Sequence, residues 1–324
     1  MNTLFSQKPS RALVLGAGSL GCLAARYGAE NGDESSAEWS AAHVHSAELI
    51  ATGLEKKLFL KMGDGPFAAR GLARSLDENL ATLEKFAHGR DAAILCGELS
   101  DPLAMQLIEA LSSALSELSV NVFALVIEPF SPNGEVDLNA LEIQRERFAA
   151  RIPFAALLNP GMENVSAGVS AKRIRKMAAE RLASAAECLS AALGSASEST
   201  PRLKSLRGMH RAVFATAANS VSGTSARQTS AAVVACDLAL AALDDGAREC
   251  IEALAISSPS EISFRETNAI AQKMPLGAAL IATANHAISG HAECLLLSGA
   301  EKSANVVGIG SAFENSRGFA AMAD

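Results

Sequence analysis

The stretch Arg11 to Gly32, RALVLGAGSLGCLAARYGAENG, limits what this chain can become more than any other. Ala12 to Leu15 reads as a short buried strand, Gly16, Gly18 and Gly21 mark a turn, and the residues after them continue as a helix. Glycine lets a backbone approach a phosphate closely, and the free N–H groups and positive dipole end of the helix that opens there hold negative charge. The spacing fits G-x-G-x-x-G. That pattern also serves tight strand-to-helix turns in which glycine is needed only for packing, so a nucleotide cradle and a packing turn both stand at this point.

Downstream, the pattern alternates. Asn31 to Ala42 (NGDESSAEWSAA) is polar and reads as a loop before a strand at Ala42 to His45. A dinucleotide-binding unit places an acid at the end of its second strand, about 20 residues past the glycines. Glu38 has that spacing but falls in the expected loop, which counts against NAD. His43 and His45 point the same way on that strand, with no third ligand nearby to make a metal site.

Leu54 to Met62 reads as a strand, Gly63 to Gly71 as a loop, and Ser75 with Glu78 as a capping box opening a helix to Ala87. Strands at Asp91 to Cys96 and Val120 to Ile127 flank a turn at Gly97 to Asp101 and a helix from Pro102 to Leu118. Asp101 is placed to cap that helix and Pro102 to start it. Phe154 to Asn159 is a further strand, and Ala171 to Leu193 an alanine-rich helix.

The fold class expected is α/β, with an N-terminal Rossmann-like parallel sheet covered by helices on both faces. The C-terminal half reads as a four-stranded mixed or antiparallel sheet with two helices on one side. Its strands are expected at Val213–Ala218, Cys250–Ile256, Ala278–Ala284 and Ala292–Ser298, with a helix from Gly223 to Leu243. Asp244 and Asp245 read as a solvated pair in a turn before Gly246, and His286, His291 and Cys294 as three scattered potential ligands rather than a metal site.

With 28 Lys and Arg against 35 Asp and Glu, the net charge of -7 gives no electrostatic reason for a nucleic-acid or anionic-membrane partner. No apolar run reaches the roughly 20 residues that span a bilayer, and MNTLFSQKPS lacks the order of a signal peptide. A cytoplasmic protein without membrane insertion is expected. Cys22, Cys96, Cys188, Cys236, Cys250 and Cys294 are scattered, mostly in apolar runs with no C-x-x-C pair, and read as reduced buried thiols.

Several segments resemble the FtsZ/tubulin superfamily. Val122 to Gly134 (VFALVIEPFSPNG) is similar to its strand and turn V-V-T-x-P-F-x-F-E-G, and Phe67 to Leu72 (FAARGL) to its T-R-G-L segment. Ser46 to Gly63 resembles the region after its second strand, and Phe154 to Asn159 (FAALLN) the strand ending in a base-contacting Asn. Ser263 to Met274 and the last two strands follow the order of its C-terminal domain. The resemblance implies a GTPase-like domain over 1–170, a connecting helix and linker over 171–200, an α+β domain over 201–300, and a partly flexible tail over 301–324.

Where the family holds GTP phosphates with G-G-G-T-G-T-G, this chain has Gly97-Glu98-Leu99-Ser100-Asp101-Pro102, one glycine and two carboxylates. The family's acidic ribose contact falls on Asn133, its phosphate-side Arg near Asp137, and its base-contacting Asn on Asn159. Glu187 falls where the family has an Asp for guanine, or else is a solvated surface charge. Gly16, Gly18, Gly21, Gly97, Asn133, Asn159 and Glu187 thus make up a vestigial nucleotide site.

Hydrolysis in the family needs acids from a loop N-x-D-x-x-D of the neighbouring subunit. Here that stretch is STPRLKSLRGM, Ser199 to Met209, with Arg202, Lys204 and Arg207 and no acid. The resemblance implies an FtsZ-like cytoskeletal or cell-division protein without catalytic residues or metal. It would hold no nucleotide unless the site still takes GTP or GDP, and would associate head to tail with itself or with another FtsZ-like or cell-division protein. An active atypical GTPase that polymerises and an NAD(P)-dependent oxidoreductase remain the alternatives.

Overall fold

The described strands hydrogen-bond into one ten-stranded sheet, ordered β3-β2-β1-β4-β5-β6-β7-β10-β8-β9. In chain order these are β1 (Ala12–Ala17), β2 (Ala37–His43), β3 (Lys57–Phe59), β4 (Ala92–Glu98), β5 (Asn121–Ile127), β6 (Phe154–Leu158), β7 (Gly208–Ala218), β8 (Ile251–Ser258), β9 (Ala279–Ala284) and β10 (His291–Gly299). The helices are α1 (Gly18–Asn31), α2 (Ser46–Ala51), α3 (Ala68–Glu78), α4 (Leu80–Ala87), α5 (Pro102–Glu117), α6 (Leu138–Arg151), α7 (Ala171–Gly194), α8 (Thr200–Ser205), α9 (Ala231–Ala241), α10 (Asp245–Glu249) and α11 (Phe264–Ala271). The computed structural model describes residues 11–32, 37–63, 68–129, 138–160, 169–218, 230–285 and 291–299.

Strands β3 through β7 in sheet order are parallel, β10 runs against both of its neighbours, and β8 and β9 are parallel again. The alternation of side chains explains the layers. On β1, Ala12 and Val14 enter the core shared with α1 and α7, while Leu13 and Leu15 enter the core shared with α3, α4, α5 and α6. A strand buried on both faces must be apolar throughout, which is why ALVLGA contains no polar residue. On β7, Ala212 and Phe214 face α7, and Val213 and Ala217 face α9.

The two halves expected as separate sheets are continuous. β6 pairs with β7 from Phe154–Gly208 to Leu158–Ala212, and the Gly208 N–H also bonds the Pro153 carbonyl at 2.8 Å. The four C-terminal strands are mixed, as expected, but extend the N-terminal sheet instead of standing beside it.

Other boundaries also differ. β2 begins at Ala37, so Glu38 lies on a strand, paired with Lys56 and Arg90, and not in a loop. The ion pairs and the bond from Ser40 Oγ to the Lys56 carbonyl let a polar sequence serve as an inner strand. Ser75 does not open a helix. It sits within α3, where its hydroxyl accepts from the Lys61 N–H at 2.8 Å, and the next helix starts after Asn79. The expected loop at Ser199 to Met209 is helix α8 followed by the first residues of β7, and Gly246 lies inside α10, capped by Asp244. The Gly223 helix start and the 301–324 tail fall outside the described residues.

Helix α5 forms as its sequence dictates. Asp101 Oδ1 accepts from the Leu103 N–H at 2.9 Å, Pro102 occupies the first turn, and Ala104, Leu107, Ile108, Leu111 and Leu115 make the buried stripe. It ends with Ser119 at φ 62 and the Val120 N–H bonded to the Leu115 carbonyl, a left-handed C-terminal cap made without glycine.

Candidate functional site

In a parallel sheet the carboxyl ends of the strands form the ligand-binding edge, and here the glycine turn lies on that edge. A Cβ on Gly16 would sit 2.0 Å from the Gly21 carbonyl oxygen, and one on Gly21 would sit 2.4 Å from the Cys96 carbonyl oxygen. These two glycines let α1 press onto β1 and β4. Gly18 differs: its φ is +70°, and a Cβ there would meet the Ala104 Cβ at 2.6 Å and Asp101 Oδ2 at 2.7 Å.

The Asp101 carboxylate therefore caps α5 through one oxygen and lies over Gly18, at the start of α1, with the other. Ala17, the residue preceding α1, has no side chain able to cap it. One aspartate answers the positive ends of two helices. The position over Gly18, at the start of α1, is thus taken by a carboxylate oxygen. Two unit charges about 4 Å apart at an effective dielectric near 20 repel by about 4 kcal/mol. A helix N-terminus offers an anion about 0.3–1 kcal/mol, which is smaller than that repulsion. Replacing Asp101 by Ala is expected to cost about 1 kcal/mol of stability through the lost cap, read as a lower urea midpoint at unchanged slope.

Gly97 is the last but one residue of β4. A Cβ there would meet Ile108 Cδ1 at 2.9 Å and the Ala17 carbonyl oxygen at 3.3 Å, so it lets α5 pack close to the strand. Glu98, the last residue of β4, accepts from Ser100 Oγ at 2.5 Å.

His43 and His45 do not share a strand face. His43 ends β2, whereas His45 precedes α2, and their rings are 5.3 Å apart. The His45 N–H donates to His43 Nδ1 at 2.9 Å, which places the His43 proton on Nε2, 3.5 Å from Ser19 Oγ. Burial lowers the His43 pKa, opposed by Glu48 and Asp101, with His45 lowering it further. A neutral imidazole that presents N–H to the serine cannot take the serine's proton, so the pair is no nucleophile and base. Among the described residues no three His, Cys, Asp or Glu form a metal-binding group.

The remaining expected site residues scatter. Asn159 follows β6, three strand spacings or about 14 Å from β1. Its N–H bonds the Ala212 carbonyl at 3.3 Å, and its carbonyl accepts from Arg181 Nε at 2.8 Å. Asn133 and Asp137 lie outside the described residues. Glu187 is not a solvated charge: it is 8% exposed, beside Gly32 at the far end of α1. The 14 residues of α1 put it about 21 Å along that axis from the glycine turn.

Glu180, about two turns earlier than Glu187 on α7, stands near Tyr27 of α1. It lines a groove of about 1020 Å³ with Leu23, Tyr27 and Met177, rimmed by Lys172, Arg173, Arg175 and Lys176 and by the Arg26–Glu30 ion pair at 2.8 Å. Glu180 and Glu187 are seven residues, about 10 Å, apart along α7 and lie on one helix face.

The acidic contact an NAD site needs is also misplaced. Glu38 sits at the entry end of β2, opposite the glycine turn, and is held by Lys56 and Arg90. At that same entry end, α8 carries Lys204, whose Nζ meets Asp91 Oδ2 at 2.5 Å. Arg207 is turned back onto the Lys204 and Leu206 carbonyls. The six cysteines form no disulfide, and five of them are buried. No helix among the described residues is long and apolar enough to cross a membrane.

This architecture, one ten-stranded sheet that is parallel through its N-terminal strands and mixed at its C-terminal end, with the long helix α7 packed on it, is the FtsZ/tubulin fold. An empty FtsZ dimer from M. jannaschii superposes with a TM-score of 0.72 at 16% identity over 91% of this chain and 90% of that one. A GTPγS-bound CetZ2 protofilament from Haloferax volcanii gives 0.61 at 17% over 95% and 97%, and a GDP-bound CetZ1 monomer 0.65 at 16% over 90% and 95%. No protein-family model and no curated protein sequence matches the chain.

Proposed function

We propose that this chain is an FtsZ-like cytoskeletal or cell-division protein that works by association, head to tail with itself or with another protein of the same fold, and has given up GTP hydrolysis. The observation that carries the reading is the Asp101 carboxylate over Gly18. The sequence of α8 and its flanks supports it: the stretch that would activate water in a neighbouring subunit holds Arg202, Lys204 and Arg207 and no acid, and cations cannot act as general base at neutral pH. Association is supported by structural relatives that are themselves a dimer and a protofilament.

A calorimetric titration with GTP is expected to give no binding heat, and phosphate release to stay at the buffer rate. Sedimentation velocity is expected to show concentration-dependent assembly without nucleotide. GTP bound tightly and turned over would end the reading, as would a particle that stays monomeric at every concentration. The cationic rim of the α1–α7 groove favours a second reading, an atypical GTP-binding protein that polymerises. Assembly that appears only when GTP is added would favour it.

A further inference from the structure

Where α7 passes from α1 to the last strands, two carboxylates are removed from water. Glu187 on α7 is 8% exposed and Glu293 on β10 is 6% exposed. Asn285, at the end of β9 and 1% exposed, donates from Nδ2 to Glu187 Oε1 at 3.1 Å. Glu187 Oε2 lies against Gly32, where a Cβ would come within 2.7 Å. Glu293 Oε1 is 3.5 Å from His291 Nε2 and bonds Ser184 of α7. From α1, Tyr27 faces Glu293 and Glu180, and from α7, Cys188 stands beside both buried glutamates and bonds Ser257 of β8.

Three elements, α1, α7 and the β9–β10 end of the sheet, are thus stitched through a cluster that brings Glu187, Glu293 and, among the described residues, the His291 imidazole together. Two carboxylates in such a place do not both ionise without cost. We propose that Glu187 and Glu293 form a proton-operated latch that fastens α1 and α7 to the β9–β10 end of the sheet. It closes when the pair carries a proton and loosens when both are charged.

Burial, then the Glu187 charge, pushes the Glu293 carboxyl up to about 7, against 4.5 for an unperturbed glutamate, with His291 and Ser184 opposing. A raised carboxyl holds its proton more tightly in the closed state than in the open one. The latch is therefore strongest below pH 4.5 and weakens as pH climbs to about 7, beyond which it weakens no further.

The test is amide hydrogen exchange on the full chain at pH 5.5 and 7.5, corrected for intrinsic rates, over residues 180–193 and 291–299. Opening is expected to rise roughly twentyfold between the two conditions, the ratio set by the two pKa values. Glu293→Gln keeps a neutral amide in place of the protonated acid and is expected to remove the difference. Equal protection at both pH values in the natural chain, or an undiminished pH response in E293Q, overturns the latch. Should E293Q fail to fold, carbon-13 titration of the glutamate carboxyls decides on the natural chain, free of the imidazole signal of His291. A glutamate titrating near 7 that falls in Glu187→Gln supports it, and no glutamate titrating above 6 sinks it.

Discussion

Gly16→Ala is expected to destabilise the fold by about 3 kcal/mol or more, at the upper end of what overpacking costs. The new Cβ would stand 2.0 Å from the Gly21 carbonyl oxygen, 2.5 Å from the Gly21 carbonyl carbon and 2.9 Å from the Ala25 Cβ. Two of these are backbone atoms held between a fully buried strand and the helix it feeds, so no flexible side-chain end can yield. Relief requires moving α1 off the sheet, which opens the core around Ala24, Ala25 and Trp39. Urea unfolding reads this as a lower midpoint at unchanged slope. The experiment also separates the two meanings of the glycine turn. If Gly16→Ala left stability intact and abolished binding of a nucleotide instead, the turn would be a cradle and the packing account would be wrong.

Phe154→Ala is expected to cost about 3–5 kcal/mol, a large share of the roughly 5–15 kcal/mol that holds a typical protein folded. Phe154 opens β6, has no exposed surface, lies 4.7 Å from the His210 ring in a stacked arrangement and 5.0 Å from the Phe123 ring. Those contacts bind β5, β6 and β7 together where the two halves of the sheet meet. His210 extends the chain of contacts to β8 through Nε2 and Glu252 Oε2 at 2.9 Å. Removing the ring leaves a cavity that these ladder-bound strands cannot close. Leu276→Ala, at a side chain fully in solvent, serves as the comparison and is expected to change stability by less than about 0.5 kcal/mol. Similar losses in the two variants would mean the seam is not packed as described.

The order of strands and helices was legible because it rests on local signals. ALVLGA, DAAILC and NVFALVI are apolar on both faces, and Asp101-Pro102 is a helix start whose cap the structure contains. Local signals also misled. Ser75 and Glu78 have capping-box spacing, but the same spacing occurs within any helix, and the Ser75 hydroxyl is engaged by Lys61 across a loop. β2 was obscured because its polar residues are satisfied by distant partners, Arg90 and Lys56.

For the site, the four glycines lie around β1, α1, β4 and α5, whereas Glu187 sits beside Gly32 at the other end of α1. Its burial did leave a sequence trace. The stretch LASAAECLSAAL from Leu182 to Leu193 holds one charge, and a helix apolar on all sides is an interior helix. What no spacing could supply is that Asp101 lies over Gly18, since that contact joins residues 83 positions apart through the pairing of β1 with β4.

The unbroken ladder between β6 and β7 limits how this molecule can change shape. A hinge at that seam would have to break five consecutive residue pairings and separate the Phe154 and His210 rings, so swinging one half against the other is the costly route. Helix α7, packed on β1, β4, β5, β8, β9 and β10 and tied to the strands by side-chain bonds from Arg181 and Cys188 rather than by the ladder, is the element whose shift breaks no strand pairing. Rearrangement here should take the form of shear, a helix travelling over a rigid floor.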